Sequence, residues 1–350
     1  MRSRRAVVIG GSGFVGRRLV SMLAGDAEHP ARPAEWPSFD AIHVLDRVPY
    51  EGAVGTVTAQ VGDVCSRDDL RRALRGAHTV FHLASIVHVG LRKSPAIDRV
   101  NVDGVRHVVE ICQELGVPFL VYTSSEDVVL GRVPVVRGDE SIPYPSDVVH
   151  DYVRTKIEGE KIARAADGAG GLRTCSIRPV HVYGPRDPHA IKASLRAFAS
   201  GAVPFLLGDG TARFDIVYVD NVVHAHLLAA RRLHDEATRD VVGGQAYFVG
   251  EDNAPNYFEF IRPYAEAKRV AMPRRRLSHR STALAARLME LVHRVTGREV
   301  PFHRFHLYVL AQDFFFTNER AARELGYRPI VSPEEGLRRT LAWLEAEPLD

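Results

Sequence analysis

Apolar residues in the first half of the chain fall into short runs separated by stretches with helical spacing. "RAVVIG" is a β-branched run that stops at glycine. In the following "FVGRRLVSMLAG", Phe14, Val15, Leu19 and Leu23 recur near the interval of a helix face. "FDAIHVLD", "VTAQVGDV", "AHTVFHLAS" and "PFLVYTSS" read as the second to fifth strands, and "VNVDGVRHVVEICQELGV" as a helix ending in glycine. Apolar runs alternating with helices predict an α/β architecture, a doubly wound parallel sheet covered on both faces. "LRTCSIRPVHVYGP" reads as a sixth strand halted by Pro179. The pattern then loosens. "RDPHAIKASLRAFASGAVPFLLGDG" suggests a helix, a turn and a strand-like piece, and "FDIVYVDNVVHAHLLAARRL" a strand followed by an amphipathic helix. "GQAYFVG" is again strand-like, and both of these later strands are expected to rejoin the main sheet. From about Asn256 to Phe305 the chain reads as irregular and helical, a candidate substrate lobe.

"VVIGGSGFVGRRLV" sets Gly10, Gly13 and Gly16 at G-x-x-G-x-x-G spacing between a strand and a helix. Glycine permits a tight turn and close backbone approach, and the helix N-terminus offers free N–H groups to a pyrophosphate. A glycine turn used only for packing is the plain alternative; the flanking strand and helix favour a Rossmann-type dinucleotide domain. The second strand ends in Asp46, where a carboxylate can accept both ribose hydroxyls of NAD and repel the extra phosphate of NADP. Asp46 lies beyond the ~20 residues usual for this fingerprint because "GDAEHPARPAEWPSFD" is inserted ahead of it. Arg47 beside it works against the discrimination, so the expectation is NAD ahead of NADP. Asp63 in "VGDV" ends the third strand and either reaches the adenine or closes a turn. The expected division is a Rossmann domain over 1–180 and 214–250, with a smaller, mostly helical substrate lobe over 181–213 and 251–350.

The chain has 350 residues, 45% hydrophobic and 25% charged, which suits a soluble enzyme. A net charge of +3 argues against general polyanion binding, so no nucleic-acid partner is expected. Cys65, Cys112 and Cys175 are odd in number and far apart, fitting neither a disulfide framework nor a C-x-x-C metal site and pointing to a reducing cytoplasm. "MRSRRAVVIGG" is too short in its apolar part for a secretory leader, and no stretch reaches the ~18 apolar residues of a membrane span. His88, His150, His181 and His224 lie near the motifs without a spacing such as H-E-x-x-H, so no metal is expected.

"DYVRTKIEGEKIARAA" places Tyr152 and Lys156 on one helix face. Alone, the pair describes a solvated surface as readily as chemistry. The order and spacing of "GGSGFVG", "GDV", "HLAS", "NVDGV", "YTSS" and "YVRTK" resemble the extended short-chain dehydrogenase/reductases. "NVDGVRHVVEICQELGVPFLVYTSS", "DESIPYP", "LRTCSIRPVHVYGPRDP" and "VYVDNVVHAHLLAARRL" are similar to the 3β-hydroxysteroid dehydrogenase family. "GPRDP" and "GGQAYFVGED" resemble its sterol-4α-carboxylate 3-dehydrogenase branch most closely. The resemblance runs from about Arg5 to Leu344 and is weakest between about Lys268 and Phe302.

The resemblance implies that Ser125, with Ser124 as a neighbouring candidate, Tyr152 and Lys156 form the catalytic group. A secondary alcohol is a poor hydride donor until its proton leaves, and free tyrosine, with a pKa near ~10, is a weak base at neutral pH. A nearby ammonium and a positive nicotinamide would both favour phenolate. The resemblance further implies cofactor contacts from Gly10, Gly13, Phe14, Val15 and Gly16, from Asp46, Asp63 and Val64, and from Leu83, Ala84 and Ser85. Tyr152 and Lys156 would also touch the cofactor. Asn101 would organise the site or cap its helix, and Pro179 and Val182 would flank the nicotinamide or merely end a strand. Asp220 and Asn221 head a helix and could equally be caps.

The expected reaction is oxidation by NAD of a 3β-hydroxysterol, or a similar polycyclic alcohol, to the 3-ketone. A 4α-carboxysterol would give a β-keto acid, which loses CO₂ with little help because the ketone is the electron sink. One rival is a reductase of a lipid-derived ketone or β-keto acid. Another is a sugar-nucleotide epimerase or dehydratase, for which Arg178, Arg186 and Arg213 would hold a diphosphate. A third, a cofactor-sensing regulator, would have no need of Tyr152 and Lys156. "KRVAMPRRRLSHRSTALAARLMELVHRVTG" joins a basic segment to an amphipathic one in which Leu284, Leu288 and Leu291 are apolar neighbours. It reads either as a helix packed over the active site or as an interfacial helix giving the 268–298 region a peripheral membrane contact. The expected location is cytoplasmic, with membrane contact at most peripheral, and compatible with a homodimer.

Overall fold

The computed structural model describes residues 4–25, 33, 35–52, 55–188, 190–208, 210–300 and 302–349. Its central sheet comprises β1 (Arg5–Ile9), β2 (Ala41–Asp46), β3 (Val57–Val61), β4 (Thr79–His82), β5 (Phe119–Thr123), β6 (Arg173–Pro179) and β7 (Ala246–Val249). The strands are parallel in the order β3-β2-β1-β4-β5-β6-β7, with Val8 opposite Val44 on one side and Phe81 on the other. Alternation sends Ala6 and Val8 to one face with Val44, Phe81 and Val121, and Val7 and Ile9 to the other with Leu45, Val80 and Leu120. Each such buried aliphatic side chain contributes ~1.5–3 kcal/mol relative to exposure.

α1 (Phe14–Ala24) covers the first face through Leu19 and Leu23, and α2 (Arg67–Leu74) and α3 (Gly104–Glu114) cover the second through Leu70, Leu74, Val108 and Ile111. α4 (Asp151–Ala165) lies beside α3, where Ala163 meets Val105 and Tyr122. Strand order reverses at β1, whose neighbours are β2 and β4. Connections leaving in opposite directions open a crevice at the C-terminal ends of these strands.

Beyond β6 come α5 (Ile191–Ala199) and α6 (Val219–His234), and α6 returns to the first face with Val222, Val223 and Leu227. "GQAYFVG" rejoins the sheet as β7, but the strand in "FDIVYV" does not. Ile216–Tyr218 pairs with His181–Tyr183 in a separate two-stranded ribbon. The reason is steric: β7 already occupies the free edge of β6, pairing Ser176–Pro179 with Ala246–Val249. The run after Pro179 is therefore a second strand in its own right.

α7 (Tyr257–Ala267), α8 (His279–Thr296), α9 (Arg304–Leu310) and α10 (Pro333–Ala346) follow. Tyr183, Ile191, Leu195, Tyr218, Ile261, Tyr264 and Leu344 form a second apolar cluster among them. Phe314–Phe316 instead pairs with Val135–Gly138 and stacks Phe316 on Phe248 of β7 at 4.0 Å between ring centroids. Of the insertion ahead of β2, residues 26–32 and 34 lie outside the described residues. Trp36 from its end is buried and donates to Nδ1 of His224 at 2.8 Å. Asp220 and Asn221 are not caps: Asp220 binds Arg18 and Arg339, and Asn221 bonds Glu251 and the backbone of Ile330 and Val331. Both sit on the buried side of α6, where a cap would have to face its open end.

Candidate active site

The crevice begins at the glycine loop. Gly10 adopts φ +87° and lies so close to β4 that a Cβ there would meet the Ala84 nitrogen at 2.6 Å. Gly13 precedes α1 in extended conformation without a side-chain cap, and α1 has no acidic residue in its first turn. The first-turn N–H groups over Phe14, Val15 and Gly16 are thus left for an anion. A Cβ at Gly16 would run into the Gly10 carbonyl, so this glycine holds helix and loop together.

A cavity of about 290 Å³ follows the loop, lined by Gly10, Gly13, Asp46, Val64, Leu83, Ala84 and Ser85. Ser12, Gly62, Ile86 and Val100 also line it and were missed in the sequence; the first three are signalled only by position just beyond strand ends, and Val100 lies in the turn before α3. The Asp46 carboxylate accepts N–H bonds from Ser12 at 2.9 Å and Val48 at 3.1 Å, each oxygen keeping lone-pair capacity for a hydroxyl. Exposed Arg47 leans toward Asp63, at 3.9 Å. Asp63 does not line the cavity; it accepts the Cys65 N–H at 2.9 Å, closing the turn after β3. Asn101 also stands behind the wall, bonding both backbone groups of Ile86, the Ser85 hydroxyl and Thr155 of α4. Its place is inside the wide turn Arg99–Asp103 before α3, not at a cap. Pro179 ends β6, and Val182 is half-buried in the ribbon beyond it.

At the end of β5 the chain turns sharply, and Ser125 opens the turn Glu126–Val129. Its hydroxyl accepts the Asp127 N–H at 3.2 Å and donates to the Asp127 carboxylate at 3.1 Å. α4 starts opposite, capped by His150, whose Nδ1 accepts the Tyr152 N–H at 3.1 Å. Tyr152 and Lys156 project from its buried face, where the Tyr152 phenol lies beside Ser125. Lys156 donates to the Thr123 carbonyl at 2.8 Å and lies 5.0 Å over the Tyr122 ring. Ser124 is buried instead, its hydroxyl without a hydrogen-bond partner among the described residues.

The electrostatics differ from the sequence expectation. Burial pushes the Tyr152 phenol above its usual value, Asp127 pushes the same way, the neighbouring Ser125 opposes them, and Glu126 adds a smaller push upward. Burial brings Lys156 down to about 8, against Glu160 and Asp127. The ammonium is aimed at the Thr123 carbonyl and the Tyr122 face, so it does not by itself make the phenol acidic here. That needs a positive group brought in beside the phenol.

Beneath Lys156, Glu160 receives two bonds from Arg178, at 2.9 and 2.7 Å, and one from the Tyr144 hydroxyl at 2.6 Å. Arg178 is buried in that pair, and Arg213 lies 4.4 Å over the Phe315 ring while donating to the Ala254 carbonyl. Of the three arginines suggested for a diphosphate, only Arg186 is left exposed without such a tie.

A cavity of about 520 Å³ lies between the lobe and the segment just ahead of Tyr152, lined by Val148, Val149, Leu91, Phe305 and Tyr308, with Glu290 and Arg304. α8 borders it, but not as a helix packed apolar side inward. Only Thr282 and Ala286 of α8 are buried, and Leu284, Leu288 and Leu291 are 59%, 51% and 52% exposed. The packed reading fails because the small side chains, not the leucines, face the body of the protein. Among the described residues no helix is long and apolar enough to cross a membrane.

Residues 7–277 match the model of the 3-beta hydroxysteroid dehydrogenase/isomerase family. The chain is 34% identical over 356 residues to 3beta-hydroxysteroid-dehydrogenase/decarboxylase isoform 2 of Arabidopsis thaliana, covering 97% of this chain and 61% of that protein. It therefore spans less than two thirds of that relative's length. Identity is 33% to the 3-beta-hydroxysteroid dehydrogenase of Mycolicibacterium neoaurum, with 97% of this chain and 91% of that one covered. The dTDP-glucose 4,6-dehydratase of Streptomyces venezuelae, solved with NAD bound, superposes with a TM-score of 0.75 at 24% identity, covering 99% and 100% of the two chains. That likeness is one of fold.

Proposed function

The chain belongs to the 3-beta hydroxysteroid dehydrogenase/isomerase family, and from that premise we propose that it oxidises the 3β-hydroxyl of a sterol to the 3-ketone with NAD. One observation carries the reading: Ser125 from the end of β5 meets Tyr152 of α4, with Lys156 one turn on. The chain's likeness to 3β-hydroxysteroid dehydrogenases, one of them also a decarboxylase, supports a sterol-type substrate. The uncapped glycine-loop helix supports a dinucleotide, and the Asp46 carboxylate supports NAD over NADP. We divide the chain accordingly into a dinucleotide part, 1–180 and 214–250, and a substrate part, 181–213 and 251–350.

When bound, the oxidised dinucleotide supplies the hydride acceptor and the positive charge that the phenol lacks. Tyr152 takes the proton of the substrate hydroxyl as the carbinol C–H bond gives up its hydride. Ser125 donates a hydrogen bond to the oxygen as it becomes a carbonyl, and Lys156, one turn on from Tyr152, is held by the Thr123 carbonyl. A 4α-carboxylate on the substrate would then leave as CO₂, its electrons passing to the new ketone. The test is turnover of purified protein with NAD on 3β-hydroxysterols with and without the 4α-carboxylate. A protein inert toward all of them but active on sugar nucleotides would overturn the proposal.

Asp46 yields a separate prediction. NAD should be preferred over NADP by at least about tenfold in kcat/KM, because a carboxylate facing a phosphate costs several kcal/mol. Asp46→Ser, with Arg47 in place, should narrow that ratio by about tenfold or more. An unchanged ratio would remove Asp46 from the ribose site.

We also propose that α8 rests on an anionic membrane surface. Leu284, Leu288 and Leu291 face outward beside exposed Arg280, Arg287 and Arg294, a pairing suited to acyl chains and lipid phosphates. The protein should sediment with anionic vesicles at low salt. Changing the three leucines to Ser removes up to ~1.5–3 kcal/mol of burial each, so binding should fall at least about tenfold. Equal sedimentation of both proteins would rule this face out.

A further inference from the structure

Resting on the reading of Ser125 and Tyr152 given above, we propose that Asp127 is a positioning residue that sets which way the Ser125 hydroxyl proton points. A serine hydroxyl has one proton to give. In the structure that proton goes to the Asp127 carboxylate at 3.1 Å, while the Asp127 N–H occupies one lone pair of the same oxygen at 3.2 Å. An ionised carboxylate outcompetes a neutral carbonyl oxygen for a donor, because charge-assisted hydrogen bonds are roughly twice as strong. Ser125 held this way can only accept, whereas the reacting oxygen needs a donor. Once Asp127 is protonated it becomes the donor to Ser125, and the serine proton swings toward the substrate. No proton leaves Ser125 in either state; hydride and proton transfer run as before, with Tyr152 as the acid or base.

The groups around Asp127 make this switch accessible near neutral pH. Lys156 and Tyr152 face it from α4, and Glu126 adjoins it in the same turn. Burial raises Asp127 to about 6, opposed by the Ser125 hydrogen bond and the Lys156 charge. Glu126 is held well above the usual carboxylate range by burial, then by Asp127 and Asp215, so it adds little negative charge. The Asp127 side chain is itself half-buried.

Ketone reduction isolates the effect, because Tyr152 then acts as the neutral phenol throughout the acid range. With NADH and a 3-ketosteroid, kcat/KM of the wild type should fall about tenfold or more as pH rises through about 6, a loss in line with one oxyanion donor. Asp127→Asn should remove this limb, since its amide keeps no titratable proton, and Ser125→Ala should remove it too, at lower overall rate. Infrared difference spectra of the cofactor-free wild type should show a carboxylic-acid band that disappears over the same interval and is missing from Asp127→Asn. A wild type that turns over without the limb, a limb surviving in either variant, or no such band would overturn the assignment alone. A wild type that reduces no 3-ketosteroid at any pH overturns the functional reading and this inference together. Should Asp127→Asn not fold, the wild-type band and the Ser125→Ala profile still decide.

Discussion

Tyr152→Phe should lower turnover by about 10³-fold while leaving dinucleotide affinity within about threefold, because only the proton-transferring oxygen is lost. The ring remains to fill the buried space on α4, and the His150 cap of that helix bonds the backbone N–H, which the substitution leaves in place. The proposed binding groups lie elsewhere, in the glycine loop and at Asp46. Steady-state rates together with fluorescence titration of NADH separate the two effects. Loss of both would mean that Tyr152 supports the cofactor site rather than the chemistry; loss of neither would remove it from the mechanism. Because burial raises the phenol, with Asp127 pushing the same way, wild-type oxidation should also quicken as pH rises above neutrality. Lys156, brought down to about 8, then begins to lose its charge on the alkaline side.

The second large effect is on stability. Glu160→Ala should destabilise the fold by ~3–5 kcal/mol, since it leaves the Arg178 guanidinium buried without its carboxylate. The Tyr144 hydroxyl loses its acceptor in the same substitution. Denaturant midpoints of wild type, Glu160→Ala and Glu160→Gln measure it, and a change under about 1 kcal/mol would show that the pair is not needed. Burial raises the Glu160 carboxyl, but Arg178, through hydrogen bonds and charge, outweighs it with help from Ser124 and Tyr144, leaving it below the usual value of 4.5. A depressed folded value stabilises where the unfolded group is already ionised. That stabilisation is therefore complete above about pH 4.5 and is lost as pH falls through the folded value. The acid-side loss of stability should be shallower in Glu160→Gln.

Lys156 and Glu160 occupy successive turns of α4, yet only the first stands out in the sequence. "YVRTK" is a local pattern, and so are the glycines after "VVI" and the carboxylate closing "IHVLD". Each depends on neighbours a few residues away, through strand alternation, helix periodicity or the free N–H groups of a helix start. The division of the outer strands is different. "FDIVYV" and "GQAYFVG" look alike as apolar runs, and only the assembled sheet, with one free edge beside β6, admits the second and turns the first away.

The sequence by itself thus determined the alternating strands and helices, the glycine turn before α1, the acidic end of β2 and the Tyr152–Lys156 face. Tertiary structure alone decided that Asp127 receives the Ser125 proton, that Arg178 is locked to Glu160 and that Phe316 stacks on Phe248. It also decided that the leucines of α8 face outward. Periodicity marks which side of an element is apolar but not what stands opposite it. Burial, hydrogen-bond partners and the shifts in proton affinity arise from groups brought together across long stretches of chain, and those distances exist only after folding.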